Sequence, residues 1–181
     1  AKALEMTLAP GTSKPAALIN RAVPAGEDSR VFQSPDLWSG YIEAELNKEP
    51  EATIEIDMAY DVEKRFLRLN TGVLVDESIA DGLRISVMIL ENNIVDAQED
   101  LTDIIEEFDH NHVLRTMLTP FDGLPLQQNS GQDGLFRNQF EFEIPVDEHL
   151  WKVEDLEIIV FVHGPLASGE VIQAQLAKLP L

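Results

Sequence analysis

The spacing of apolar residues changes near residue 50. Before it, "SPDLWSGYIEAELNKEP" sets Leu37, Trp38, Tyr41, Ile42 and Leu46 at helical intervals. Ser34 stands at the N-cap, Pro35 at the first helical position and Asp36 in the first turn, and Pro50 stops the pattern. From residue 51 the period becomes two. "ATIEIDMAYD" alternates as a half-buried strand does. "KRFLRLNTGVLVDE" repeats the alternation through Phe66, Leu67, Leu69, Val73 and Val75, and Asn70-Thr71-Gly72 predicts a bulge or kink in it. After a turn at Asp81-Gly82, "LRISVMILEN" is apolar on both faces and predicts a central strand. "VLRTMLT", "QFEFEIPV", "LEIIVFVHG" and "GEVIQAQLAKL" follow as further strands. A run of strands with few helices between them predicts a mainly β fold, an antiparallel β-sandwich of jelly-roll or immunoglobulin-like type.

Two stretches escape the alternation. Residues 92–112 interleave acids with Ile94, Val95, Leu101, Ile104, Ile105 and Phe108, which predicts an ordered loop or short helix on the sandwich with its charges in water. Residues 121–137 are rich in Gly and Gln, with turn formers at Asp122-Gly123 and Gln132 to Gly134. Long loops on a rigid sandwich commonly carry recognition, so these two segments are the predicted surface for a protein or glycan ligand. At the other end, residues 1–14 predict a short helix closed by Pro10-Gly11, and Pro15 to Arg21 a brief strand. The change of period places a boundary at residues 49–51 and divides the chain into 1–50 and 51–181.

Composition narrows the partners. The 13 Lys and Arg against 33 Asp and Glu give a net charge of -20, which repels nucleic acid and anionic headgroups. With no cysteine, this chain has no disulfide, no Cys-ligated zinc and no thiol chemistry of its own. No apolar run is long enough to form a transmembrane helix, so membrane association is expected only through an N-terminal anchor outside the chain. The missing initiator Met and missing signal pattern read as processing or as a fragment of something longer.

Candidate chemistry is sparse. In "FDHNHVLRTMLTP", His110 and His112 stand two apart, and on a strand they would share one face. They could hold zinc if Glu106, Asp109, His149 or His163 completed the set. The structural alternative has Asp109 and Asn111 capping turns, and the histidines fastening the acidic segment to the strand at Val113. Arg115 would then pair with a carboxylate across the sheet. Calcium is the other metal considered. Glu91, Asp96, Glu99, Asp100, Asp103, Glu106 and Glu107 supply oxygens but lack the D-x-D-x-D-G spacing. No G-x-S-x-G elbow or phosphate loop occurs, so neither catalytic residues nor an organic cofactor is expected. Trp38 and Trp151 read as core anchors.

"ILENNIVDAQ", "FDHNHVLRTMLTPFDG", "LEIIVFVHG" and "EVIQA" together resemble the outer-membrane proteins of about twenty-eight kilodaltons, an envelope lipoprotein family of Gram-negative bacteria. Glu91 to Gln98 and His110 to Arg115 carry the likeness, which is close over residues 83–176. It implies an outer-membrane-associated or periplasmic location and a thioredoxin-like domain ahead of the sandwich. "KPAALINR" then resembles the end of that domain, with Pro15 as its cis-proline candidate, Pro15 to Asn20 as a strand and Ser34 to Asn47 as its closing helix. The expected function is non-catalytic, a binding or adhesion module of the cell surface. One alternative is the docking half of an envelope thiol-disulfide oxidoreductase whose redox half lies outside this chain. Another is a calcium-dependent carbohydrate-binding sandwich.

Overall fold

Alternation sorts the side chains of two antiparallel sheets into an inner and an outer set. The computed structural model describes residues 9–181 except 10, 14, 25, 101–102, 127–133, 148–149 and 166–168. One sheet has the order β1 (Ala52–Asp61), β2 (Phe66–Val75), β8 (Leu135–Glu143). The other runs β10 (Val171–Lys178), β9 (Leu156–His163), β3 (Arg84–Glu91), β6 (Val113–Met117), and the two-residue β7 (Leu124–Pro125) also pairs with β3. Ile54, Leu67, Leu69, Val73, Phe136 and Phe140 meet Ile85, Val87, Ile89, Ile158, Val160 and Val162 between the sheets. This is the mainly β sandwich that the alternation predicts.

The strand β2 is regular where a bulge is expected. Asn70 faces Asp57 and Gly72 faces Glu55 in unbroken register with β1, and Asn70 to Gly72 pair as regularly with β8. A central strand has both rows of backbone groups committed to neighbours, which overrides the turn preference of Asn-Thr-Gly. β8 begins at Leu135, four residues before the alternation of "QFEFEIPV" shows it.

The N-terminal part differs more. The strand expected over Pro15–Asn20 is reduced to one isolated antiparallel bridge, Ala17 with Phe32. The predicted helix splits into a 3₁₀ turn, Pro35–Leu37, and α1 (Trp38–Leu46). Ser34 holds the N-cap position in extended conformation, but its side chain makes no cap bond. Trp38 is half-buried and its indole N–H donates to the Phe32 carbonyl at 3.2 Å, while Phe32 stacks on Tyr41 at 4.5 Å. The helix expected over residues 1–14 falls mostly outside the described residues. This segment touches the sandwich at Asn20 and Arg21, since Val171 N–H donates to the Asn20 carbonyl and the Arg21 guanidinium lies 5.2 Å from the Phe161 ring centre.

The largest departure concerns residues 92–112. The described residues of this stretch build a two-stranded antiparallel ribbon, β4 (Ile94–Asp100) and β5 (Asp103–His110), in place of the expected loop or short helix. β4 continues from β3 and β5 leads into β6, so one long hairpin starts inside the sandwich and runs out of it. Leu101, Ile104, Ile105 and Phe108 are spaced as on a helix, which is what misleads the reading. A bulge supplies the reason. Two residues, Glu106 and Glu107, oppose Ala97 alone, because the register jumps between Asp96–Phe108 and Gln98–Ile105. The extra residue breaks the period of two.

Candidate functional site

The ribbon leaves the sheet through a joint built by two asparagines. His112 N–H donates to Asn92 Oδ1 at 2.8 Å, and Asn93 N–H donates to Asn111 Oδ1 at 3.1 Å. Each strand lends a side chain to the backbone of the other. Asn93 and His112 both take positive φ, 54° and 55°, so the two strands turn together at the same level. Asn93 Nδ2 also donates to Asp155 Oδ1, and Asn92 N–H to the Asp155 carbonyl, which ties the joint to the segment before β9.

Directly beneath lies Glu91, fully buried. Its Oε2 accepts from Trp151 N–H at 2.9 Å and its Oε1 from Lys152 N–H at 3.0 Å. Arg115 Nε sits 3.1 Å from Oε2 as an ion pair, off the line of a hydrogen bond, and its guanidinium lies 5.1 Å from the Trp151 ring centre. The register slips between Ile89 and Leu90, and Arg115 is the extra residue on β6. A buried carboxylate is tolerable because two backbone donors and one cation meet it. Trp151 also packs on Phe142 at 5.7 Å. This centre holds the base of the ribbon; it has no open face for a reaction.

The histidines go separate ways. His110 ends β5, with its ring edge-on to Phe108 at 4.9 Å. His112 lies past the strand, so the one-face arrangement expected of the pair does not form. Its Nε2 is 3.5 Å from Glu157 Oε2. No three His, Asp or Glu come together as a metal-binding group among the described residues, and His149 lies outside them. The fastening expected of the histidine rings is done by Asn92 and Asn111. Asp109 is exposed on β5 and its carbonyl accepts from Asn111 Nδ2 at 3.4 Å. Gln98 sits at the bulge and donates to the Glu99 carbonyl at 2.9 Å. Pro15 lies in a bend two residues before the Ala17 bridge, and Lys14, the other side of its peptide bond, is outside the described residues.

A second polar centre gathers around His163, which the sequence offered only as a possible zinc ligand; its partners Ser86 and Arg21 were not anticipated. Ser86 and His163 are both fully buried, with Ser86 Oγ 2.9 Å from His163 Nε2. His163 Nδ1 lies 2.6 Å from the Gly164 carbonyl and 3.1 Å from Arg21 Nη1. A proton on Nδ1 satisfies the Gly164 carbonyl and leaves Nε2 to accept from the Ser86 hydroxyl; Arg21 Nη1 then faces an N–H and meets the ring as a like-polarity contact instead of a hydrogen bond. Burial, then the positive charge of Arg21, lower the imidazole pKa to about 4. In a Ser–His–Asp triad a carboxylate behind the imidazole stabilises its cation. Here a guanidinium stands there. Gly123, at φ +78°, closes the front: a Cβ on it would lie 2.8 Å from Nε2 and 3.0 Å from Ser86 Oγ. Arg84 fixes that turn through the Asp122 carbonyl and carboxylate and the Gly123 carbonyl. The pair is a sealed structural contact. Its signal in the sequence was faint: Ser86 inside "RISVMILE" and His163 closing "LEIIVFVH".

The outer ribbon is the exposed feature. From Ile94 to His110 it carries seven carboxylates and no Lys or Arg. It also holds apolar side chains in water: Val95 is 61% exposed, Ile104 67%, Ile105 41% and Phe108 39%. A cleft of about 730 Å³ lies elsewhere, against Gly11 to Ser13 and Asp28 to Gln33, within the N-terminal segment.

The family model for outer membrane protein Omp28 matches residues 8–180. The chain belongs to the Omp28 family. That membership places it in the bacterial envelope, among outer membrane proteins. HBP35 of Porphyromonas gingivalis has a similar structure at a TM-score of 0.75 and 19% identity, over 98% of this chain and 56% of that one. The chain thus spans little more than half of that relative's length. A domain of the outer membrane lipoprotein Omp28 from the same organism matches at a TM-score of 0.50 and 16% identity, over 73% of this chain and 90% of that one. At such identities the likeness concerns the fold. No curated protein matches. Among the described residues no helix is long and apolar enough to cross a membrane.

Proposed function

We propose that this Omp28-family chain is a non-catalytic binding module of the envelope that meets its partner through the β4–β5 ribbon. One observation carries the reading: a two-stranded sheet stands free of the sandwich with both faces in water and four large apolar side chains exposed on it. An isolated two-stranded ribbon is marginal by itself, and apolar surface held out on a rigid stem is a common mark of an interface. The predicted 121–137 segment adds less, because residues 127–133 lie outside the described set.

The test compares the intact chain with a variant whose residues 94–110 are replaced by Asn-Gly. Both are immobilised and probed with detergent-solubilised outer membrane from a Gram-negative cell that carries the protein. A specific partner retained by the intact chain and lost by the trimmed one is the expected result. Equal retention by both overturns the reading, provided the trimmed chain keeps its cooperative melt.

The docking-half alternative draws on a different observation. HBP35 continues well beyond the part that this chain matches, and α1 leaves Leu46 and Ile42 exposed. Residues 1–50 would then close a thioredoxin-like domain. A Cys-x-x-Cys in the gene ahead of Ala1 would support that reading, and its absence would remove it. Nothing specific favours the calcium-dependent glycan reading. The ribbon spreads its carboxylates along two strands instead of around one point.

A further inference from the structure

Resting on that reading of the ribbon as the binding element, we infer that its partner is a protein presenting a cationic β-strand, which adds to an open edge of the β4–β5 ribbon. The ribbon pairs only with itself among the described residues, so β4 and β5 each keep one edge that no strand pairs; local side chains meet the Ala97 N–H and the Glu99 and Asp109 carbonyls there or nearby. Such edges are templates for another strand. Sandwich proteins usually blunt exposed edges with lysines, and here the charges are all of the other sign.

Charge chooses among the possible occupants. The seven carboxylates, Asp96, Glu99, Asp100, Asp103, Glu106, Glu107 and Asp109, stand on about seventeen residues with no cation among them. A second copy would bring seven more carboxylates across the ladder, where like charges oppose pairing. Anionic headgroups and nucleic acid are repelled for the same reason. A strand alternating Lys or Arg with apolar residues fits every feature. The register sets Ile105 and Phe108 on one face of the ribbon and Val95, Ile104, Glu99 and Asp109 on the other. The strand's apolar side chains would meet Ile105 and Phe108, its cations Glu99 and Asp109 across the opposite face, and its backbone the free edge.

A separate observation at the ribbon's root points the same way. Glu157 is buried on the outer face of its sheet, and its Oε2 has no hydrogen-bond donor. His112 Nε2, itself mostly exposed, lies 3.5 Å away, and the exposed Lys178 faces Glu157 across the β9–β10 ladder without bonding to that oxygen. Leaving a buried carboxylate oxygen without a donor is costly, and an incoming Lys or Arg beside His112 would supply one.

The test uses the full chain and a defined probe. It is a peptide of about ten residues alternating lysine and valine, with a control carrying glutamate for lysine and a second control N-methylated on alternate residues. Backbone amide NMR shifts locate binding, and fluorescence anisotropy measures it across salt. The expected result is saturable binding of the lysine peptide, with shifts in β4 or β5 amides and no binding of the glutamate peptide. N-methylation should abolish it. The triple variant D103N/E106Q/E107Q should weaken it about tenfold or more, and added salt should weaken it further. Equal affinity of the triple variant, binding of the glutamate peptide, or shifts confined to the sandwich would each overturn the inference.

The envelope pull-down separates this inference from the reading beneath it. If the lysine peptide fails while the trimmed chain still loses its envelope partner, the strand chemistry is wrong and the binding role stands. Should trimming change nothing in the envelope assay, the binding role falls and the inference falls with it.

Discussion

The carboxylate of Glu91 and the guanidinium of Arg115 meet 3.1 Å apart, inside the structure at the foot of the ribbon. The carboxylate also takes both backbone N–H groups of Trp151 and Lys152. Removing it leaves a cation and two donors without their acceptor. Glu91→Ala should therefore cost about 3 kcal/mol or more, and Arg115→Ala with Glu91 kept should cost less, because the two N–H bonds remain. Urea melts of the two single variants and the double variant measure the coupling. Strictly additive losses would mean that the pair is incidental.

At the joint, His112 has φ 55° and lends only its backbone N–H to Asn92. Glycine accepts that conformation and a β-branched residue resists it. Both changes remove the imidazole beside Glu157, so the backbone term is read from their difference: His112→Val should be less stable than His112→Gly by about 1–2 kcal/mol. Thermal melts at matched pH decide it, and equal effects of the two changes would count against the backbone argument.

Two glycines make a sharper contrast. A Cβ on Gly123 would press on His163 Nε2, the Ile85 carbonyl and Ser86 Oγ, all at 3.0 Å or less and at positive φ. A Cβ on Gly72 meets nothing nearer than 3.5 Å. Gly123→Ala should thus destabilise by about 2 kcal/mol or more, and Gly72→Ala should be close to neutral. Denaturant midpoints for the pair give the answer.

Acid should loosen the protein through His163. Its folded pKa is about 4, below its ordinary 6.5, because burial and Arg21 oppose the cation. Between those values the unfolded chain binds a proton that the folded chain refuses. Stability is fully present above pH 6.5 and falls as pH drops towards 4. Below that, both states are protonated and this contribution is constant. The total loss approaches about 3 kcal/mol. His163→Gln should flatten the stability slope over that window, even if it lowers stability at neutral pH. An unchanged slope in the variant would locate the acid sensitivity elsewhere.

The sandwich was legible because most of its strands alternate cleanly: the inner residues Ile54, Leu67, Leu69, Ile158 and Val160 fall on period two. The ribbon was not, because the bulge at Glu106 and Glu107 turned strand spacing into helical spacing. Propensity likewise misjudged Asn70 to Gly72, whose backbone is held from both sides. Glu91 to Gln98 and His110 to Arg115 come together in space, but the fastening expected of the imidazoles is made by Asn92 and Asn111. Asparagine side chains reaching across to backbone N–H groups leave no periodic trace. Ser86 with His163 left only a polar letter in each of two apolar words, and their register of pairing is set by the fold.

The crossed asparagines give the ribbon a fixed socket and leave its reach adjustable. Everything that fastens it lies at or inward of residues 93 and 110–112, so its outer strands can be shortened or extended without rebuilding the sandwich. Such changes come in steps. Adding or removing two residues on each arm keeps every side chain on its own face, while an odd change turns the whole outer set over. Lengthening both arms in pairs would carry the same faces farther from the sandwich.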